Sequence, residues 1–181
     1  MSDELEVLKL VTRRLKEAGI EYMITGSTAV NFYSVPRMTR DIDIIIELSL
    51  NNIEKIENLF SDEFYMDREA IYKAVVQKGI FNIIHNSYLV KIDFIIRKDS
   101  DFHREEFRNK RRIIVETVNM NVVSPEDLVL SKLFWAKESK SEVHINDVRN
   151  LLNNVKDLNI EYISYWVNKL GVDELYKEVL K

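Results

Sequence analysis

The chain has 181 residues, of which 46% are hydrophobic and 31% charged, with a net charge of −4 and no cysteine. That balance describes one ordinary globular domain with room for a sizeable core. It excludes disulfides and thiol-ligated zinc, a membrane-spanning apolar run of ~20 residues, and the basic surface of non-specific nucleic-acid capture. The missing cysteines fit the cytoplasm, and the acidic, amphipathic N-terminus MSDELEVLKL is unlike a signal peptide. His85, His103 and His144 are scattered without metal-ligand spacing.

Leu5, Leu8, Thr12 and Leu15 recur at helical spacing and Gly19 stands where a C-cap belongs, predicting a helix over 3–18. A short strand over 20–24 leads into Gly26-Ser27, and a short helix from Ser27 stops before Pro36. A strand follows over 41–48, its later part apolar enough to be buried on both faces. Asn51, with Glu54 three positions on, predicts a capped helix whose stripe is Ile53, Ile56 and Leu59. A helix over 67–78 ends at Gly79, and a hairpin follows with arms 81–84 and 88–97. Beyond residue 100 the pattern predicts a short helix over 101–108 and a strand over 112–118. Ser124-Pro125-Glu126-Asp127 then starts a helix strongly, with a Ser cap, Pro at the first position and acids in the first turn. Only helices follow, near 125–138, 142–154, 160–170 and 173–180. The fold expected is α/β: a mixed-sheet core over 1–123 with helices on one side, and a helical C-terminal region over 124–181.

The chemistry concentrates between Tyr22 and Ile46, YMITGSTAVNFYSVPRMTRDIDIII. Asp41 and Asp43 alternate on a strand, so their carboxylates share a face and repel. A divalent metal relieves that repulsion, and hard oxygen ligands suit Mg²⁺. The Gly26-Ser27 turn lets backbone N–H groups approach an anion where a helix begins. A third acid, Asp93, lies in Leu89-Val-Lys-Ile-Asp-Phe-Ile-Ile96, among neighbours that make an unpaired charge expensive. It reads either as a third ligand or as an exposed residue paired with Lys91. Lys132 interrupts a helix that is otherwise largely apolar, and by itself reads as a lysine whose stem packs while its head reaches water.

Gly-Ser, a spacer of this length, Asp-x-Asp in an apolar strand and a later strand-borne Asp resemble the nucleotidyltransferase superfamily typified by DNA polymerase β. The longer string Arg37-x-Thr39-x-Asp41-x-Asp43 is similar to small stand-alone prokaryotic members, including abortive-infection and toxin–antitoxin nucleotidyltransferases. The resemblance covers residues 20–97 well and 124–152 through fewer positions.

It implies Mg²⁺- or Mn²⁺-dependent transfer of a nucleoside monophosphate from an NTP, ATP included, to an acceptor hydroxyl. Asp41, Asp43 and Asp93 would hold two ions, with Asp93 beside the acceptor. Gly26, Ser27, Arg40 and Lys132 would neutralise the triphosphate, Thr39 would belong to the site, and Asp147 would face the nucleotide or pair with Lys132 or Arg149. Whether Arg37 points inward stays open. The acceptor would be an RNA end such as tRNA, a protein side chain or a small molecule such as an aminoglycoside. A separate antitoxin chain is the partner that a toxin role would add. The rival is a non-catalytic nucleotide-sensing or partner-binding module on the same fold. The basic cluster Arg104, Arg108, Lys110, Arg111 and Arg112 reads as a solvated face, and Tyr162, Tyr165 and Trp166 as core.

Overall fold

The computed structural model describes residues 2–39 and 41–181. In chain order it contains α1 (Asp3–Glu17), β1 (Tyr22–Ile24), α2 (Gly26–Tyr33), β2 (Asp41–Ile46), a 3₁₀ turn (Leu50–Asn52), α3 (Ile53–Phe60), β3 (Phe64–Met66) and α4 (Arg68–Gln77). β4 (Ile80–His85), β5 (Lys91–Ile96), α5 (Asp101–Arg108), β6 (Arg111–Val115), β7 (Val118–Val122), α6 (Pro125–Ser139), α7 (Glu142–Asn154), α8 (Ile160–Leu170) and α9 (Asp173–Val179) follow. The strands form one mixed sheet in the order β3-β4-β5-β2-β1-β7-β6.

The sheet is organised around β2. Its residues Ile42, Ile44 and Ile46 are buried on one face, while Asp41 and Asp43 alternate onto the other. β1 pairs with it antiparallel and β5 parallel, so Ile92, Phe94 and Ile96 extend the same apolar face. Phe60 of α3 packs there, 5.9 Å from Phe94 between ring centroids, and Phe81 of β4 lies 5.2 Å from Phe94. Arg14 of α1 lies over Phe60 and ties α1 to Asp62 through bonds of 2.7 and 3.0 Å. The opposite face, carrying the acids, is overlain by residues of α6 and α7. Among the described residues no helix is long and apolar enough to cross a membrane.

Three local departures from the sequence pattern have physical causes. The strand expected over 112–118 is a hairpin, β6–β7, turning at Glu116, whose φ is 54°. β7 is weak by composition, with Asn119 and Asn121 on it, but Met120 and Val122 are buried and Val122 pairs in parallel with Ile24 of β1. β3 is only three residues long and exists through its pairing with β4. Finally, Asn51 does not cap a helix. The 3₁₀ turn intervenes, Ser49 Oγ bonds Asn52 Oδ1 at 2.7 Å, and the buried stripe of α3 becomes Ile53, Ile56 and Phe60. α6 begins as expected, with Ser124 Oγ accepting from the Asp127 N–H at 3.1 Å.

Beneath α6 lies an uncommon group. Glu106 of α5 is 2% exposed and accepts a bond from Ser131 Oγ at 2.5 Å. Burial pushes its carboxyl up to about 8; the Ser131 bond opposes the rise and the Asp127 carboxyl adds to it. An acid raised in the folded state binds more protons there than in the unfolded chain, so stability falls as pH rises from its unfolded value toward about 8. Urea denaturation between pH 5 and 8 is therefore expected to show a loss approaching ~1.4 kcal/mol per pH unit. Glu106→Gln should flatten that slope, and an unchanged slope would remove Glu106 as its source.

Candidate active site

Strand register builds the acidic centre. β2 and β5 run parallel with Asp43 opposite Asp93 and Asp41 opposite Lys91, so all four side chains rise from one face. Lys91 Nζ lies 2.9 Å from Asp93 Oδ2 and 3.3 Å from Asp41 Oδ2. The pairing of Asp93 with Lys91 is thus realised, yet Asp93 also stands beside Asp43. Burial raises the Asp43 carboxyl above its ordinary range, and the negative Asp93 raises it further; Lys132 works in the opposite direction.

Gly26 places the start of α2 against this centre. Its φ is +63°, and a Cβ built on it would fall 1.9 Å from Asp43 Oδ2, so the Asp43 carboxylate lies directly over the glycine. Thr25 N donates to Asp43 O at 2.9 Å, locking the turn to β2. Among the described residues, α2 has neither a side-chain cap nor an acid in its first turn. Its leading N–H groups are therefore open to an anion.

An ion triad centred on the buried Asp147 closes the other side. Lys132 Nζ lies 2.9 Å from Asp147 Oδ2, with side chains 6% and 2% exposed. Arg37 grips the same carboxylate through Nε and Nη2, both at 3.0 Å, and Nη2 also donates to Ser27 Oγ at 2.5 Å. Burial alone would raise the Asp147 carboxyl, but the bonds from Arg37 and Lys132 outweigh it and hold it below the usual carboxylate range. Three expectations are decided here. Lys132 does not carry its head to water, because α7 covers it and Asp147 supplies its counter-charge. Arg37 points inward, linking α7 to the glycine turn. Arg149 bonds Asn146 instead of Asp147.

Thr39 stands apart from the cavity, its hydroxyl donating to the Asp41 carbonyl at 3.1 Å, and lines a groove with Leu5, Leu8 and Ile42. Arg40 lies outside the described residues.

A cavity of about 280 Å³ joins Gly26, Ser27, Asp43, Asp93 and Lys132. Its remaining wall is Thr25, Ile80, Ile95, Leu128, Ser131, Trp135 and His144, which sequence reasoning did not assign. A helical signal was present for part of it: 128, 131, 132 and 135 share one face of α6. Burial, then the nearby Lys132 charge, lowers the His144 imidazole, and its Nδ1 is buried without a partner. Farther away four of the five residues of the basic cluster are paired: Arg104 with Asp101, Arg108 with Glu105, Lys110 with Glu21 and Arg111 with Glu126. Trp166 is core, whereas Tyr165 is 53% exposed and Tyr162 donates to the buried Asp127 carboxylate at 2.6 Å.

The donor set suits a hard divalent ion, since hard oxygens from neighbouring strands leave Asp43 and Asp93 in mutual repulsion. Among the described residues, however, no three acids or histidines are gathered closely enough to hold an ion, and Asp41 and Asp93 are both engaged by Lys91.

Residues 4–174 match the model of a family described as "Nucleotidyl transferase of unknown function (DUF2204)". No curated protein matches the sequence significantly. Among solved structures, ANT(2″)-Ia in complex with adenylyl-2″-tobramycin superposes with a TM-score of 0.64 at 12% identity, covering 96% of this chain and 99% of that one. An antigenic nucleotidyltransferase-like protein from Paracoccidioides brasiliensis gives 0.61 at 16% identity, covering 97% and 93%. A putative nucleotidyltransferase from Thermotoga maritima gives 0.56 at 20%, covering 83% and 93%. At these identities the likeness establishes the fold.

Two outcomes follow from the geometry. Gly26→Ala meets both the left-handed backbone and the Asp43 carboxylate, so chemical denaturation should show a loss of at least ~1–2 kcal/mol. A near-neutral result would mean Asp43 moves aside freely. Lys132→Met leaves the buried Asp147 with Arg37 alone, and is expected to cost about 2–3 kcal/mol by the same measurement. No loss would show that Arg37 alone satisfies the carboxylate.

Proposed function

The chain belongs to this nucleotidyl transferase family, and on that premise we propose that it transfers a nucleoside monophosphate from an NTP to an acceptor hydroxyl with Mg²⁺. The observation that carries the proposal is the juxtaposition of Asp43 and Asp93 across β2 and β5, with the uncapped start of α2 packed directly against Asp43. A pure binding module has no use for co-facial acids that repel one another.

In this reading the open N–H groups of α2 and the Ser27 hydroxyl receive the phosphates, with Arg37 and Lys132 behind them. Asp147 keeps both cations in place, and the triad retains a net positive charge toward the triphosphate. Asp41 and Asp43 would hold the divalent ion, which would supply positive charge to the phosphates and lower the pKa of an attached oxygen. The acceptor oxygen attacks the α-phosphorus, the bond to the bridging oxygen breaks, and pyrophosphate leaves. Asp93 stands on the acceptor side and takes the hydroxyl proton. Thr39 holds the backbone of Asp41, and a phosphate contact for Arg40 is what the family resemblance implies. The acids work by position and charge.

A small-molecule acceptor is the reading favoured by likeness to ANT(2″)-Ia, whose structure holds adenylyl-2″-tobramycin. ATP is the donor favoured by the adenylyl product in the ANT(2″)-Ia complex. An RNA end or protein side chain, and with it a separate antitoxin chain, are the alternatives that the same chemistry would serve.

The test is incubation with each α-labelled NTP, Mg²⁺ and cell extract, followed by separation into small-molecule, RNA and protein fractions. Label should enter the small-molecule fraction and disappear with Asp41→Asn or Asp43→Asn, variants expected to fold normally because they remove repulsion. Label in RNA or protein would reassign the acceptor. Undiminished labelling by Asp43→Asn would overturn the assignment of the acids.

A further inference from the structure

The sequence predicts two divalent ions, yet the position between Asp41 and Asp93 already holds a cation. Lys91 Nζ bridges the two carboxylates at 3.3 and 2.9 Å. Its location follows from the backbone: Lys91 precedes Asp93 by two residues on the same face of β5 and is the register partner of Asp41 on β2. Its ammonium is therefore tethered within reach of both acids and cannot diffuse away as a free counter-ion would. Asp43 is excluded from this bridge. It lies over Gly26, on the side where α2 offers its N–H groups. Lys91 thus engages Asp93 and one oxygen of Asp41 on the acceptor side, while Asp43 is left open on the phosphate side.

We propose that Lys91 stands in for the acceptor-side cation, so that this site takes a single divalent ion together with its nucleotide. The inference rests on the metal-triphosphate reading above. It makes Lys91 a positioning residue for Asp93, and it agrees with the lack of a three-acid metal cluster among the described residues. A second ion could enter only by expelling an ammonium that the strand returns to the same place, against like-charge repulsion.

Equilibrium dialysis of the whole protein against Mn²⁺ and each of the four non-hydrolysable α,β-methylene NTPs counts ions per bound nucleotide. One is expected for the wild type. Lys91→Arg, which keeps the charge, should also retain one. Lys91→Met, which keeps most of the stem, should bind two. Two ions in the wild type would overturn the inference whatever the variants do, and so would one ion in Lys91→Met; either result leaves the nucleotidyl transfer reading intact. Retention of neither ion nor nucleotide by the wild type would overturn both.

Discussion

Parallel pairing of β2 with β5 forces two carboxylates, Asp43 and Asp93, to face each other across a strand spacing, and the surrounding structure is arranged to tolerate that repulsion. Neither acid can rotate into the core, because Ile42, Ile44, Ile92 and Phe94 occupy the other face of the same strands. Neither can be fully solvated, because α6 and α7 lie overhead. The repulsion remains as electrostatic tension, which adds to burial in raising the Asp43 carboxyl. Cations placed around it relieve that tension in part: Lys91 from the same sheet and Lys132 from α6.

The second organising feature is the buried Asp147. It gathers one cation from α6 and another from the loop before β2, and Arg37 carries the connection on to Ser27 at the start of α2. A buried ion pair is weak evidence for stability, because desolvation offsets much of the attraction. Its value here is orientation. Three segments distant in sequence are held in one arrangement around the cavity, with the cationic groups close to the glycine turn. Glu106, buried beside Ser131 of the same helix, is another carboxyl that burial pushes up.

Much of this was legible in the residues themselves. The alternation Asp-Ile-Asp-Ile placed both acids on one face because side chains on a strand repeat every two residues. Helix starts such as Ser124-Pro125 were readable because capping chemistry is local. What local pattern could not supply were elements that exist only through partners. β7, with two asparagines, becomes a strand because Ile24 pairs with Val122, and β3 because β4 is beside it. The role of Lys132 was equally undecidable, since a lysine in an apolar helix is read one way when its head reaches water and another when an aspartate from the next helix covers it.

The sequence by itself carried the family resemblance, the mixed α/β class and the shared face of Asp41 and Asp43, because glycine turns, strand alternation and helix caps are encoded within a few neighbouring residues. Only the tertiary structure decided that Asp93 stands beside Asp43, that Lys91 occupies the space between Asp41 and Asp93, that Arg37 turns inward, and that Trp135 and His144 wall the cavity. Those are distances between segments far apart in the chain, fixed by strand register and helix packing, and no periodicity within one segment carries them.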